Sequence, residues 1–365
     1  MTLDETLFER YWHLACHRRE LSTDGDFIKF ESVAGEVVLF NDSGELVAFD
    51  NRCPHRGARL YTASHGNRTA TCGYHGWTYR NGAIIVPEKE RFKSCDIDRA
   101  SFNTFEVEWC GDFVFFSLKP QMGLYEQLGE TAEIVENISF NVDRRLDLNR
   151  YDYECYWPLA VENALEPYHI SAVHAETLAT LKLRDGENVF DGANSIWYAP
   201  LGNARLANQL LRLRKLFNID YQYEGYMSLY LFPFTMISST YGYSYSLQNF
   251  FPATHGESRT RFSSRLYAAN TANDNASRVL NSFFEATVRM NRQVFDEDHE
   301  VCKLLPKTGW LPTALQFPAD AEVKIDHFRQ TCRDVIADAD AGARPVHTSI
   351  DSQHHFQHEK DHCIG

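Results

Sequence analysis

The sequence predicts an α+β chain in two domains, an all-β N-terminal domain followed by one that combines antiparallel strands with a long helix. Three observations carry this. At 365 residues, 44% of them hydrophobic, the chain is long enough to bury two cores. Residues 27 to 118 run in short β-branched and aromatic segments broken by turn residues. Toward the C-terminal end, apolar residues recur at the helical 3.6-residue period.

Taken in order, FIKFES (27–32), EVVLF (36–40) and ELVAFD (45–50) read as strands of a small antiparallel barrel, with Asn41-Asp42-Ser43-Gly44 as a turn. NGAIIVP (81–87) and DFVFFSL (112–118) resume the pattern, so residues 1–120 form one domain. The second domain is expected over 121–335. It holds an amphipathic stretch at 205–217 and an aromatic-rich run at 226–254, which reads as two or three antiparallel strands joined near Pro233 and Gly242. Tyr230, Phe232, Phe234, Tyr241, Tyr243 and Tyr245 in that run are candidates for a cavity wall, with sheet packing as the plainer reading. Residues 277 to about 305 read as a helix with Leu280, Phe283, Met290, Val294, Val301 and Leu305 on one stripe. From 336 to 365 the chain turns small and polar, with His347, His354, His355, His358 and His362 crowded into what reads as a solvated tail.

Between the early strands lie two short pairs, Cys53-Pro54-His55 and Cys72-Gly73-Tyr74-His75, separated by sixteen residues. Two thiolates and two imidazoles are the ligand set of a Rieske [2Fe–2S] centre, in which two Cys hold one iron and two His the other. Two neighbouring hairpin tips can clamp such a cluster from opposite sides. Gly57, Gly73 and Gly76 let backbone amides approach the sulfurs, and Arg56 and Trp77 complete the two motifs. A structural Cys₂His₂ zinc site is the rival, but it favours Cys paired with Cys and His paired with His on a helix. Here each pair mixes one of each on strand-and-turn sequence.

A second set of candidate ligands lies in Glu162-Asn163-Ala164-Leu165-Glu166-Pro167-Tyr168-His169-Ile170-Ser171-Ala172-Val173-His174. Two His plus one carboxylate on one side of the metal, with open positions opposite, suit Fe(II) in O₂ chemistry. His169 and His174 are five residues apart, about 140° on a regular helix, so a shared metal requires the helix to end or distort there. Two ordinary histidines would be the plain reading of this spacing alone. Asp298 falls within the apolar stripe of the C-terminal helix, whereas Asp296 and Glu300 point away and Glu297 sits at the stripe's edge. An ionised carboxylate on a buried face needs a partner, which makes Asp298 the candidate third ligand.

Together these motifs resemble the α-subunit of Rieske non-haem iron oxygenases over nearly the whole chain. That resemblance implies a catalytic domain with an antiparallel sheet packed on the long helix, a mononuclear Fe(II) held by His169, His174 and Asp298, and O₂ as co-substrate. It also implies that Glu166 connects the mononuclear site to a Rieske histidine of the neighbouring subunit, bridging His75 of one chain to His169 of the next in a homotrimer. Many members carry Asp where this chain has Glu166; a plain surface Glu is the alternative there. The form of the motif resembles the monooxygenase and demethylase branches more than the dihydroxylases of aromatic hydrocarbons. The expected function is therefore a terminal oxygenase that hydroxylates or oxidatively demethylates a small organic substrate. Cis-dihydroxylation by an aromatic dioxygenase α-subunit is the alternative within the family. A Rieske electron carrier with a ligand-binding C-terminal domain, or a zinc-dependent regulatory protein, are alternatives of other classes.

Composition narrows the partners. A net charge of −14 argues against non-specific binding to nucleic acid or anionic membrane. No signal-like start and no run of eighteen apolar residues is present in the sequence, so the expectation is a soluble, cytoplasmic protein. Nine cysteines at scattered spacings do not read as a disulfide framework. Neither a G-x-G-x-x-G turn nor a second thiolate cluster motif is present, so electrons from NAD(P)H are expected to arrive through a separate reductase, with or without a ferredoxin. Arg52, Arg56, Arg59 and Arg68 around the cluster motif are a candidate docking patch for such a partner.

Overall fold

The computed structural model describes residues 2–93, 97–184, 186–220, 223–254, 258–310, 315 and 317–341. Among the described residues, seventeen strands fall in the order β1 His13–His17, β2 Asp26–Ser32, β3 Gly35–Asp42, β4 Glu45–Asp50, β5 His65–Asn67, β6 Ala70–Thr71, β7 Thr78–Arg80, β8 Ala83–Ile85, β9 Thr104–Cys110, β10 Phe113–Ser117, β11 Val142–Tyr153, β12 Glu187–Asp191, β13 Asn194–Ala199, β14 Tyr226–Leu231, β15 Thr235–Thr240, β16 Ser244–Pro252 and β17 Thr260–Ala269. They make a seven-stranded sheet β1-β10-β9-β4-β3-β2-β5, a three-stranded sheet β6-β7-β8, and a second seven-stranded sheet β11-β17-β16-β15-β14-β13-β12. Every named pairing is antiparallel.

Strand β3 shows how alternation divides the N-terminal core. Val38 and Phe40 join Phe27, Phe49, Tyr61, Trp77 and Tyr79 beneath the Cys/His loops. Val37 and Leu39 face the other way, into a core shared with Trp157, Phe234 and Phe251 of the second domain. A strand buried on both faces needs apolar residues at consecutive positions, and Val37-Val38-Leu39-Phe40 supplies them.

The expectation of an all-β start is corrected by a helix at Leu3–Arg10. Thr2 Oγ1 accepts from the Glu5 amide at 3.3 Å and Glu5 Oε2 accepts from the Thr2 amide at 2.8 Å, a reciprocal cap. Leu7 and Phe8 are fully buried, with the Phe8 ring edge-on to Phe251 at 5.3 Å. The helix thus seals the junction between the two domains.

The aromatic-rich run forms three strands, β14, β15 and β16, turning at 232–234 and 241–243 as expected. Its six candidate cavity aromatics are all buried in core clusters, so sheet packing is their role. The long helix spans Asn281–Cys302, preceded by a short helix Asp274–Val279. Its fully buried residues are Phe284, Phe295 and Cys302, whereas Met290 and Leu305 of the expected stripe are 39% and 38% exposed. Met290 borders a cavity, which Val294 also lines while packing against the core, and Leu305 lies beyond the end of the helix. A last helix, Val323–Ala341, corrects the tail boundary: residues 336–341 are helical. The five tail histidines lie outside the described residues. Among the described residues, no helix is long and apolar enough to cross a membrane.

Candidate metal centres

The two Cys/His loops are built by the same turn. Cys53 N donates to Ala58 O and Gly57 N to Cys53 O, both at 2.8 Å; Cys72 N donates to Trp77 O at 2.8 Å and Gly76 N to Cys72 O at 3.0 Å. Each turn therefore closes at the same offsets from its cysteine. Gly57 and Gly76 have φ of 73° and 74°, which a side chain would oppose. The Arg52–Arg59 bridge and the Thr71–Thr78 pair close the two tips. Both cysteines are 2% exposed, while His75 lies at the surface. The His55 and His75 Nδ1 atoms are 3.1 Å apart, and the Cys53 and Cys72 thiols are in hydrogen-bond contact. Burial raises the Cys53 thiol pKa, and amides of His55 and Arg56 directed at the sulfur oppose that shift. His55 stacks on Trp77 at 4.9 Å and Tyr74 on His75 at 3.9 Å, fixing both rings. Two thiols and two imidazoles converging from facing loops fit a [2Fe–2S] cluster of the Rieske type.

His169 and His174 flank a single helical turn, Ile170–Val173, after the helix Trp157–Leu165 has ended. The interruption that their spacing required is present. Their Nε2 atoms lie 3.2 Å apart, and Asp298 Oδ1 is 3.5 Å from the first and 3.1 Å from the second. Ligands about 2.1 Å from a metal at right angles to one another stand about 3 Å apart, so the group fits one face of an octahedral ion. The three residues form the one group with such metal-ligand spacing found among the described residues.

Carboxylates anchor the opposite edge of each imidazole. Glu166 Oε1 is 2.6 Å from His169 Nδ1, and Glu297 Oε2 is 2.7 Å from His174 Nδ1. Asn163 Nδ2 donates to Asp298 Oδ1 at 2.8 Å. Burial by itself would lower the His169 imidazole, but hydrogen bonds to Asp298 and Glu166 outweigh it and raise its pKa to about 9. The same balance raises His174, where Asp298 is the main partner. Burial pushes Asp298 up, and the two imidazoles overcome it and hold the carboxyl below its usual range. Without metal the group is a buried network of opposite charges, and a cation that displaces the imidazole protons takes over their role.

Comparison with known proteins identifies the family. Residues 11–95 match the Rieske [2Fe-2S] domain, and residues 144–338 match the ring hydroxylating alpha subunit catalytic domain. The chain belongs to the ring-hydroxylating α-subunit family. Its cofactors are a Rieske [2Fe–2S] cluster and mononuclear iron. It is 30% identical over 212 residues to the anthranilate 1,2-dioxygenase large subunit of Acinetobacter baylyi, covering 54% of this chain and 45% of that one. Identity to the carnitine monooxygenase oxygenase subunit of Acinetobacter pittii is 27% over 217 residues, 57% of each chain. The chain thus spans about half the length of the curated relatives it matches. Among solved structures, the quaternary ammonium Rieske monooxygenase CntA in complex with L-carnitine superimposes with a TM-score of 0.71 at 19% identity over 90% of both chains. A naphthalene 1,2-dioxygenase variant bound to phenanthrene gives 0.71 at 18% identity over 91% of this chain and 88% of that one. At these identities the likeness is one of fold.

In this α-subunit a cavity of about 140 Å³ opens beside His169, His174 and Asp298. Strands β13 to β17 form its floor and the helix Asn281–Cys302 one wall. A wider cleft shares Pro167, Ile170 and Trp197 with it.

Two features escaped the sequence. Glu297, at the edge of the apolar stripe, stands behind His174, and Thr177 Oγ1 and Gln293 Nε2 donate to its carboxylate at 2.7 and 2.9 Å. Its place at the edge of the stripe was the available signal. Glu162 opens the His motif but points away from the site, where it accepts from Arg329 Nε and Nη2 at 2.7 and 2.8 Å, pinning the helix Trp157–Leu165 to the last helix. The four arginines of the candidate docking patch each find a neighbour in the cluster domain. Arg52 pairs with Asp50, Arg59 with Glu36 at 3.0 Å, and Arg68 reaches Leu60 O and lies over Tyr61, because loop guanidinium groups satisfy the nearest local acceptors. Arg56 lies over the Tyr74 ring and donates to its hydroxyl at 3.1 Å, and the Arg52 and Arg59 side chains remain exposed despite their pairs.

Proposed function

We propose that this chain is a terminal oxygenase in which Cys53, His55, Cys72 and His75 hold the Rieske cluster and His169, His174 and Asp298 hold the mononuclear Fe(II). The observation that carries the reading is the second group, with its three donors about 3 Å apart and lining a cavity large enough for a small organic substrate. When bound, the iron and the cluster supply O₂ activation and electrons for oxygen transfer. The chain's own residues do the positioning: Glu166 and Glu297 fix the two rings, Asn163 orients the Asp298 carboxylate, and the cavity holds substrate against the open face of the group. The functional units divide near residue 120, with the catalytic unit extending through the last helix.

The reaction proposed is monohydroxylation or oxidative demethylation, in keeping with the likeness to the carnitine monooxygenase subunit. Cis-dihydroxylation is the second reading, favoured by the anthranilate relative. Electrons reach the cluster from a separate reductase, with or without a ferredoxin, and the protein works in the cytoplasm. The assembly proposed is a homotrimer in which Glu166 links His169 to His75 of the neighbouring subunit; exposed Tyr74 and Tyr168 sit beside the two histidines that would meet.

Anaerobic reconstitution with Fe(II) and a surrogate reductase tests the reading through iron content, substrate consumption and product mass. Three irons per chain and products heavier by one or two oxygens, or lighter by a methylene, are expected. Two irons per chain, with electron transfer but no oxygen incorporation, would leave only an electron carrier. For the assembly, Glu166→Gln is expected to keep the metals and the trimer and to slow single-turnover oxidation of the cluster; an unchanged rate or an active monomer refutes it.

A further inference from the structure

One face of the second sheet changes character along its length. Toward one end the residues on this face are Tyr230, Phe250 and Phe262, all core. Beneath His169, His174 and Asp298 the same face sets Ser228, Ser238, Ser246 and Gln248 among Trp197, Met236 and Leu266, held side by side by the pairings Trp197↔Ser228, Ser228↔Ser238, Ser238↔Ser246, Met236↔Gln248 and Ser246↔Leu266. The opposite face of these strands keeps its apolar pattern, with Met227, Leu229, Ile237 and Leu247 buried. Side-chain period two makes the inward face of a covered sheet apolar wherever packing alone decides. A hydroxyl and amide floor under the metal group therefore answers to something other than packing.

The floor is only loosely satisfied by its own members. Gln248 Nε2 donates to Ser238 Oγ at 3.2 Å, Ser246 and Ser264 hydroxyls are 3.3 Å apart, and Ser228 Oγ reaches only the Met236 sulfur at 3.5 Å. Among the described residues, Gln248 Oε1 has no protein hydrogen-bond partner, and Gln248 lines the cavity. No Lys or Arg lines the cavity among the described residues; Lys182 and Arg184 line the neighbouring cleft instead. Its carboxylates, Glu166 and Asp298, are committed to the histidines. The volume of about 140 Å³ is close to the ~150 Å³ that admits a benzene ring.

We infer that the substrate is an uncharged, ring-sized molecule whose hydrogen-bonding groups rest on the Ser238–Gln248 floor, rather than a hydrocarbon, a carboxylate or an organic cation. This rests on the oxygenase reading and names the substrate class of that same site. A hydrocarbon would use none of the hydrogen-bonding capacity that these weakly paired groups leave open, whereas a neutral polar group would. A carboxylate would meet no cation there, and an ammonium group would meet no uncommitted carboxylate.

The test uses the iron-loaded protein and four single-ring probes that differ in one substituent: benzamide, toluene, benzoate and phenyltrimethylammonium. Thermal unfolding reads binding, since a ligand selective for the folded form raises the midpoint. Benzamide is expected to raise it and the other three are not. In the double variant Ser238→Ala with Gln248→Leu, both partners of one hydrogen bond are replaced together, so neither is orphaned. Benzamide affinity should fall about tenfold and toluene should now stabilise. Failure of benzamide to shift the natural chain, an equal or larger shift by any other probe, or an unchanged probe order in the double variant overturns the inference. Iron content and the Rieske absorption spectrum are measured on the same samples. Missing iron would strike the oxygenase reading, whereas a contrary probe order with both metals in place strikes only the substrate class.

Discussion

Glu297 offers a direct measure of how the metal group is held. Its carboxylate accepts from three donors at once: Thr177 Oγ1 at 2.7 Å and the His174 ring at 2.7 Å on one oxygen, and Gln293 Nε2 at 2.9 Å on the other. An amide can accept at one of its two terminal atoms only. In Glu297→Gln, keeping the oxygen toward His174 turns the new amide nitrogen toward the Gln293 donor, and the charge that favours the His174 tautomer with Nδ1 protonated is lost. Gln293 is exposed and can turn away, so the residual cost is that of a weakened charge-assisted bond, about 1.4 kcal/mol or tenfold in Fe(II) affinity. Glu297→Ala also frees the ring to rotate and is expected to cost nearer a hundredfold, the upper end for partners behind metal-bound histidines. Competition with a calibrated chelator under anaerobic conditions reads both values, and the Rieske spectrum serves as the folding control. Unchanged Fe(II) affinity in Glu297→Ala would refute the reasoning, because His174 would then be oriented by packing alone.

Other perturbations separate the two centres. Cys53→Ser or His75→Ala should abolish the visible Rieske spectrum, and a normal spectrum in either variant would remove those ligands. His169→Ala, His174→Ala and Asp298→Ala should each lose the mononuclear iron and turnover while keeping that spectrum; full activity in Asp298→Ala would point to another carboxylate. In metal-free protein His169 is raised to about 9 from an unfolded value near 6.5, so its contribution to stability is complete below about pH 6.5 and disappears as pH rises through 9. Iron uptake must release that proton, and Fe(II) affinity should therefore climb by up to about tenfold per pH unit over the same window; a flat titration refutes the proton linkage. Arg329→Met leaves Glu162 buried without its partner and should lower stability by about 3–5 kcal/mol, with recovery when Glu162→Leu is added, both read as shifts in denaturant midpoint.

Much of this protein was legible in its sequence because certain local patterns permit few alternatives. Cys53-Pro54-His55 and Cys72-Gly73-Tyr74-His75 are short enough that each donor pair is fixed by one turn, whose geometry Gly57 and Gly76 make possible. Turn residues at 232–234 and 241–243 announced β14 to β16 in the same way. Helical period placed Asp298 on the stripe that faces the site, although Met290 on that stripe borders a cavity instead of core. Period reports which residues share a face and is silent on what covers it. The N-terminal helix was missed because its cap is a four-residue signal and its burial depends on Phe251, more than two hundred residues away. Only the tertiary structure could place Glu297 behind His174, turn Glu162 toward Arg329 or show a polar floor beneath the metal group. Each of these depends on side chains from segments distant in sequence meeting in space, and pattern along a single segment carries no information about the partner.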